Sequence, residues 1–283
     1  MLAIVNGTLV SKQDAVVSIS DRGLLLGDGL FETMCFTQKK ILFFEEHWQR
    51  LNSSLAKMLI PIPFDKNQLK ANIYQLITAE QGLNEQWIIR LTVTRGESQR
   101  GINLPVQPLP NYFITIAAWS KSKQDVKLII SSNRRNEYSF ITQIKSLNYL
   151  DNILARHEAE LSGADDALFL NSQEFITEST VANFFVVIDG VIGTPPISDG
   201  LVPGIMRKFI LQAAACNGLL VQEASFKTDD LQRASEIFLT NIAIGIQRVG
   251  SIKPYFSANK IQFFNILNQL YIDYIQRHQN NFI

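Results

Sequence analysis

The chain contains few of the residues that bind metals or form covalent crosslinks. Its 283 residues include two cysteines, Cys35 and Cys216, and three histidines, His47, His157 and His278. Two cysteines cannot form a disulfide framework, and neither the cysteines nor the histidines have the short spacing of a metal-binding motif. We therefore expect neither a metal centre nor a fold that depends on disulfides.

The sequence also lacks a surplus of charge and long apolar runs. Lysine plus arginine and aspartate plus glutamate each number 26, so the formal net charge is zero and gives no reason to expect nucleic acid as a partner. No apolar run approaches the roughly 20 residues that a membrane-spanning helix needs. The first residues, MLAIVNGTLVSKQD, lack the charged leader and long apolar core of a secretory signal. We expect a cytoplasmic protein with no membrane partner.

What remains is a composition typical of a folded globular protein, with 46% hydrophobic and 18% charged residues. Asn6-Gly7 and Asp189-Gly190 each lie between short apolar runs, and this pattern predicts two β-hairpins. Strand-like runs outnumber helical repeats in each half, without the regular alternation of a doubly wound sheet. The sequence therefore predicts an α+β fold.

The length is sufficient for two domains, and one short polar segment is the best candidate for a linker. This segment, SKSKQD, has no hydrophobic periodicity. We predict a smaller N-terminal α+β domain at residues 1–119, a linker at residues 120–125 and a larger C-terminal α+β domain at residues 126–283. Lys145 would then belong to the C-terminal domain.

Lys145 lies in the stretch ITQIKSLNYLDN, where its neighbours include Ile141, Ile144, Leu147 and Leu150. Apolar surroundings penalise the charged form of an amine, and a neutral amine is a nucleophile toward aldehydes. Taken alone, the pattern also describes a lysine whose stem is packed and whose ammonium group reaches water.

Two further charged residues have a possible chemical role. Glu178, in FITESTVANFF, is a carboxylate near a strand end that could hold a protonated pyridine nitrogen. Arg50, in HWQRL, lies on a predicted helix beside Leu51 of its apolar stripe, and its guanidinium group matches a phosphate. The simpler interpretations are a surface glutamate in a turn and an ordinary surface arginine.

Two loops could complete a phosphate site. In LVPGIMRKF, Gly204 precedes a predicted helix start, where backbone N–H groups and the helix dipole attract anions. In FLTNIAIG, the loop from Thr240 to Ala243 offers a hydroxyl and backbone amides, although both loops could equally be plain turns. An aldehyde for the amine, a ring nitrogen for the carboxylate and a phosphate for these loops are all present in pyridoxal 5′-phosphate. We therefore predict this molecule as the cofactor.

The ordered motifs of the chain resemble those of the fold-type IV pyridoxal-phosphate enzymes, the class IV aminotransferase family. The resemblance covers nearly the whole chain. The motifs are SDRGLLLGDGLFET (20–33), HWQRL (47–51), TRGESQRG (94–101), IKSLNYLDN (144–152), GADDALFLNSQEFITESTVANFF (163–185) and GIMR (204–207).

This resemblance implies two α+β domains with the cofactor between them, and a homodimer in which a loop of the partner reaches the site. Lys145 would form the Schiff base with the cofactor and move a proton, and Glu178 would bind the pyridine nitrogen. The residues implied to hold the phosphate or lie beside it are Arg50, Gly204, Ile205, Thr240, Asn241 and Ile242.

The loop TRGESQRGI bears on which reaction of the family the chain performs. The D-amino-acid transaminases of the family have an Arg-x-His pair here, whereas this chain has Arg100 followed by Ile102, and Phe31 replaces a tyrosine. The segment WIIRLTV does not clearly match the arginine-bearing strand of the branched-chain enzymes. We interpret Arg100 and Phe31 as substrate-binding residues, Arg100 for a substrate carboxylate, although Arg100 could also be a solvated loop charge.

The resulting prediction is 4-amino-4-deoxychorismate lyase, which eliminates pyruvate to give 4-aminobenzoate in folate biosynthesis. The small-molecule substrate would therefore carry carboxylates. The alternative is a class IV aminotransferase that acts on D-amino acids or on branched-chain L-amino acids.

Overall fold

The computed structural model describes residues 1–83, 85–120 and 123–277. The chain forms two compact units, each with its own sheet and helices, which confirms the α+β prediction. One unit contains Met1–Ser120 and Lys145–Asn148, and the other contains Lys121–Ile144 and Tyr149–Ile283. His278 lies outside the described residues. Among the residues described, no helix is both long and apolar enough to cross a membrane.

The first unit is built on a six-stranded antiparallel sheet in the order β2-β1-β6-β5-β3-β4. Its strands are β1 (Leu2–Val5), β2 (Thr8–Ser11), β3 (Gly29–Thr37), β4 (Lys40–Ile41), β5 (Trp87–Thr94) and β6 (Asn111–Ala118). Its helices are α1 (Arg22–Leu26), α2 (Phe44–Lys57) and α3 (Lys66–Ala79). The apolar stripes of α2 and α3 share one buried core with the sheet. Helix α2 packs against β3.

The second unit is built on a nine-stranded mixed sheet. Its strands are β7 (Val126–Arg135), β8 (Asp166–Asn171), β9 (Ile176–Ser179), β10 (Asn183–Ile188), β11 (Val191–Thr194), β12 (Val221–Glu223), β13 (Ala234–Asn241), β14 (Gly245–Ile252) and β15 (Phe256–Ser257). Its helices are α4 (Leu150–Leu161), α5 (Ile205–Cys216) and α6 (Gln262–Arg277). The order is β12-β11-β10-β13-β14-β7-β8-β9, with β15 beside β14.

Six consecutive strands of this sheet, from β10 to β9 in the order above, form a closed ring, because β9 also pairs with β10. The pairing consists of the residues Glu178 and Asn183, which lie opposite each other. Glu178 therefore occupies the place where the ring of strands closes.

Both predicted hairpins are present, and their turns have the backbone conformation that the sequence suggested. The φ angles are 48° at Asn6 and 86° at Gly7, and 51° at Asp189 and 79° at Gly190. Positive φ at both central residues is the signature of the type I′ turn, which asparagine, aspartate and glycine adopt most readily.

The segment around Lys145 pairs with β3. The Phe31 N–H donates to the Lys145 carbonyl at 2.9 Å, and the Leu147 N–H donates to the Gly29 carbonyl at 3.0 Å. Lys145–Asn148 therefore groups with the first unit, whereas the sequence placed Lys145 in the C-terminal domain. The difference arises because these hydrogen bonds join residues more than a hundred positions apart. The domain boundaries stay a prediction, and residues 121 and 122 of the predicted linker lie outside the described residues.

Candidate active site

Lys145 lies beside an aromatic ring of the first unit. Its Nζ is 4.3 Å from the centroid of the Phe31 ring, and the guanidinium carbon of Arg90 is 3.9 Å from the same centroid. Phe31 is buried on β3, and its backbone also bonds to Lys145. The side chain and the backbone of Lys145 are thus both placed against one residue, which restricts where the amine can point.

Glu32, the next residue of β3, binds Arg50 of α2. Arg50 Nε donates to Oε1 at 2.8 Å and Nη2 donates to Oε2 at 2.6 Å, which is the bidentate geometry of a strong ion pair. Burial raises the pKa of Glu32, but the charge and hydrogen bonds of Arg50, with His47, outweigh burial and lower the pKa to about 2. Glu32 is therefore an anion at neutral pH, and it fixes one edge of the Arg50 guanidinium.

His47 completes this cluster as a neutral ring. Burial lowers its pKa despite the neighbouring Glu32, so its Nδ1–H donates to Glu32 Oε2 at 2.7 Å and its Nε2 carries no proton. Within the described part of the chain, the buried Nε2 has no hydrogen-bond partner. An acceptor nitrogen in this position leaves the positive charge of Arg50 as the only formal cation of the cluster.

In the second unit, the buried carboxylate of Glu178 is held by three donors. Its Oε2 accepts from Asn183 Nδ2 at 3.2 Å and from the Val202 N–H at 3.3 Å, and its Oε1 lies 3.5 Å from Arg135 Nη2. The Arg135 guanidinium in turn lies over the Phe169 ring, with its carbon 4.2 Å from the ring centroid. The carboxylate thus has a fixed orientation at the β9–β10 pairing.

Gly204 directly precedes α5, and its lack of a side chain is required by Asn183. A Cβ atom on Gly204 would lie 1.8 Å from Asn183 Oδ1, while Asn183 Nδ2 donates to the Val202 carbonyl at 2.9 Å. Among the described residues, no side chain caps the N-terminus of α5, which begins at the buried Ile205. The start of this helix therefore presents backbone only.

The end of β13 carries a hydroxyl that has no hydrogen-bond partner among the described residues. Thr240 is buried, and its Oγ1 has no hydrogen-bond partner among the residues that the structure describes. Asn241 uses its side chain within the loop, since Oδ1 accepts from the N–H groups of Ala243 and Ile244, both at 2.8 Å. Ile242 is buried. Thr240 rather than Asn241 is therefore the side chain with hydrogen-bonding capacity to offer.

The structure thus resolves the predicted site residues into local groups. In the first unit Phe31 contacts Lys145, and the next residue, Glu32, forms an ion pair with Arg50. In the second unit Glu178 is joined to Gly204 through Asn183. Arg100 is brought into neither group and is exposed on the loop between β5 and β6.

Sequence reasoning missed three residues that position these groups: Glu32, His47 and Asn183. Glu32 and Asn183 carry a recognisable signal, because each is a polar residue inside an otherwise apolar strand, in GLFETMCF and VANFFVV. Such residues are expected to have a buried partner. His47 has no comparable signal.

The chain is similar to known proteins over most of its length. The family model described as amino-transferase class IV matches residues 29–252. A D-alanine aminotransferase of Listeria monocytogenes is 34% identical over 256 residues, covering 89% of this chain and 88% of the relative. A Methanocaldococcus jannaschii protein, provisionally named a branched-chain-amino-acid aminotransferase, is 33% identical over 263 residues, covering 92% and 91%. A crystal structure from Legionella pneumophila, provisionally described as 4-amino-4-deoxychorismate lyase, has a TM-score of 0.85 and 30% identity, covering 94% of this chain and 96% of that one.

These matches first define a class of proteins, the enzymes that use pyridoxal phosphate. Within this class, the chain belongs to the class IV aminotransferase family. The fold-type IV resemblance and the cofactor prediction are thereby confirmed. The three relatives carry names of three different activities, so membership of the family does not select one reaction.

Proposed function

We propose that the enzyme is a 4-amino-4-deoxychorismate lyase, which releases pyruvate and forms 4-aminobenzoate. The observation that carries the proposal is the pair Phe31 and Ile102. The Phe31 side chain has no hydroxyl to donate to a substrate carboxylate, and Ile102 is 83% exposed with an apolar side chain. Arg100 is then the loop residue that can bind a carboxylate, as a cation with five donors.

The proposal assigns the cofactor to residues whose chemistry fits it. Lys145 would bind the aldehyde covalently, and the fixed carboxylate of Glu178 would hold the ring nitrogen in its protonated form. The phosphate would be bound by Arg50, the backbone of Gly204 and Ile205 and the loop Thr240–Asn241–Ile242. Among the described residues, Thr240 Oγ1 has no hydrogen-bond partner and no side chain caps the start of α5. Both features support this assignment, because a hydroxyl and backbone N–H groups can donate to an anion.

Pyridoxal phosphate supplies an electron sink that stabilises the negative charge formed when the substrate α-proton is removed. The Lys145 amine would take up and return this proton, and its contact with Phe31 limits the directions in which it can do so. Arg50, whose guanidinium is oriented by two hydrogen bonds to Glu32, would contribute a positive charge to phosphate binding.

Two experiments test the proposal. Purified enzyme loaded with the cofactor should convert aminodeoxychorismate into 4-aminobenzoate and pyruvate in equal amounts, whereas the Lys145→Ala variant should form neither. Absence of both products from cofactor-loaded wild-type enzyme would refute the lyase. Borohydride reduction followed by peptide mapping should place the cofactor on Lys145, and a label on any other residue would refute that assignment.

An amino-acid transaminase is the second candidate. It is favoured by the 34% identity to a protein named D-alanine aminotransferase. A panel of D- and L-amino acids, including the branched-chain L-amino acids, offered with 2-oxoglutarate or pyruvate would reveal stoichiometric keto-acid formation. If no donor is turned over, this candidate is eliminated.

We also propose that the working unit is a homodimer, as the family resemblance implies. Three consecutive leucines of α1, Leu24, Leu25 and Leu26, are exposed and would be covered by a second copy of the chain. Light scattering at several protein concentrations should give the mass of two chains, and a single-chain mass would contradict the proposal. The expected cytoplasmic location stays a prediction.

A further inference from the structure

Arg22 is a buried arginine that binds the backbone of the loop carrying Arg100. It is the first residue of α1 and is only 4% exposed. Its Nη1 donates to the carbonyls of Gly101 and Asn103, both at 3.2 Å, and its Nη2 donates to the carbonyl of Ile102 at 3.4 Å. A single guanidinium group therefore holds three consecutive carbonyls.

A second contact ties Arg22 to the beginning of the same loop. Its Nη1 also donates to Ser98 Oγ at 3.1 Å, and its backbone N–H donates to the Gly96 carbonyl at 2.9 Å. Arg100 and Ile102 themselves are exposed and lie between these anchor points. The described residues between β5 and β6 form no helix and no paired strand, apart from one isolated bridge at Glu97. Within the segment 98–103, most of the described hydrogen bonds come from Arg22.

Asp28 keeps the Arg22 guanidinium in place. Arg22 Nε donates to Asp28 Oδ2 at 2.8 Å, and Arg95 donates to both oxygens of the same carboxylate, at 2.7 and 3.0 Å. Burial raises the pKa of Asp28, but the hydrogen bonds and charges of Arg95 and Arg22 outweigh it, so its pKa is lowered. Arg95 directs its remaining donors to the carbonyls of Met58 and Leu59, away from the loop, at 2.8 Å each.

We propose that Arg22 is the positioning residue of the substrate loop, and that it fixes the segment from Ser98 to Asn103 so that Arg100 keeps one location. The part that concerns the substrate rests on the proposed role of Arg100. The part that concerns the loop does not depend on it. Arg95 provides a matched control, because it is equally buried and binds the same Asp28 without contacting the carbonyls of the loop.

The first test is limited trypsin cleavage after Arg100 in the cofactor-loaded enzyme and its variants, with the fragments identified by mass spectrometry. Arg22→Gln should speed this cleavage by about tenfold or more, because the segment 98–103 loses several hydrogen bonds at once. Arg22→Lys, whose ammonium N–H groups cannot serve Asp28, Ser98 and the loop carbonyls together, should speed cleavage to a smaller degree and carries the test if Arg22→Gln fails to fold. Arg95→Gln should leave cleavage after Arg100 at the wild-type rate. Equal cleavage rates in the Arg22 and Arg95 variants would overturn the proposal.

The second test is a double-mutant cycle with Arg100→Gln, in which KM and kcat for aminodeoxychorismate are measured separately. Arg22→Gln should raise KM by roughly ten- to hundredfold, with a smaller effect on kcat, since the loop binds substrate but does not carry out the chemistry. In the Arg100→Gln background the same change should raise KM little further. Fully additive effects on KM would overturn the proposal.

The two proposals fail in different ways. If Arg100→Gln leaves KM unchanged, or if aminodeoxychorismate is not turned over at all, the proposed function fails. The role of Arg22 in holding the loop is then decided by the cleavage experiment alone.

Discussion

Arg50 and Glu32 form a bidentate ion pair inside the first unit, with donor–acceptor distances of 2.8 and 2.6 Å. The pair joins α2 to β3, and Phe31, which precedes Glu32 on β3, contacts Lys145. Glu32, which orients Arg50, is therefore adjacent to Phe31, which restricts the position of the Lys145 amine. The pair predicts effects on stability that can be measured without a substrate.

Replacement of Glu32 by glutamine should destabilise the fold by about 3 kcal/mol at pH 7, because it removes a buried carboxylate that accepts two hydrogen bonds from Arg50 and one from His47. Urea unfolding followed by circular dichroism measures this loss. The matched control is Glu45→Gln, which breaks an exposed ion pair with Lys66 and should leave the free energy of unfolding almost unchanged. Equal effects in the two variants would contradict the structural importance of the Glu32–Arg50 pair.

The Glu32 pKa also predicts how stability depends on pH. Since the folded-state pKa of about 2 lies below the ordinary value of 4.5, the contribution of Glu32 is complete above pH 4.5 and is lost as the pH falls toward 2. The free energies of unfolding of wild type and Glu32→Gln should therefore differ most at neutral pH and converge between pH 4.5 and 2. A difference that stays constant through this range would show that Glu32 is not an anion held by Arg50.

Replacement of Glu178 by glutamine should lower turnover by roughly a hundredfold or more, because a neutral amide does not stabilise a protonated pyridine nitrogen. The fold should survive, since an amide oxygen can still accept from Asn183 and the Val202 N–H. Glu174→Gln is the control, because Glu174 forms an exposed ion pair with Arg134 before β9. Turnover in both variants is compared after cofactor occupancy has been equalised, and equal turnover would remove the proposed role of Glu178.

Replacement of Gly204 by alanine should weaken cofactor binding and destabilise the fold by about 1–3 kcal/mol, as overpacking does elsewhere. Its φ of −70° suits alanine, so the cost comes from the approach of the new Cβ to Asn183 Oδ1. The double variant Gly204→Ala with Asn183→Ala isolates this contact. Gly204→Ala should cost less stability when introduced into Asn183→Ala than into wild type. An undiminished cost would place the clash elsewhere.

The two cysteines should differ sharply toward a thiol reagent. Burial raises the pKa of the Cys35 thiol to about 12, whereas Cys216 at the end of α5 is exposed. The thiolate is the reacting form, so one thiol per chain should react rapidly and the second only in denaturant. The variant Cys216→Ser should abolish the fast phase, and a surviving fast phase would show that Cys35 is accessible.

The local parts of the fold could be predicted from sequence because their signals lie within a few residues. The turns at Asn6-Gly7 and Asp189-Gly190 are examples, as is the helical repeat of α2. The placement of Lys145–Asn148 beside β3 could not, because it depends on hydrogen bonds to Gly29 and Phe31 far earlier in the chain. Hydrophobic periodicity carries no information about such pairings.

The surroundings of Lys145 show the same limit. The sequence suggested that its apolar neighbours help to keep the amine uncharged; of these, Ile144 is buried, whereas Ile141 is 44% exposed and Leu150 is 65% exposed. The Phe31 ring, far earlier in the chain, also lies beside the amine. Arg50 was identified from its motif, while the acidic partner that orients it, Glu32, lies 18 residues away and was missed.

The assignment of Lys145–Asn148 to the first unit has a consequence for the inheritance of this architecture. The first unit consists of two separate segments of the chain, Met1–Ser120 and Lys145–Asn148. A single crossover in the gene between these segments therefore cannot transfer the whole unit. A recombinant that takes residues 1–120 from another parent would pair a foreign β3 with a native lysine segment. Its Phe31 and Gly29 positions would then have to accept hydrogen-bond partners with which they did not evolve.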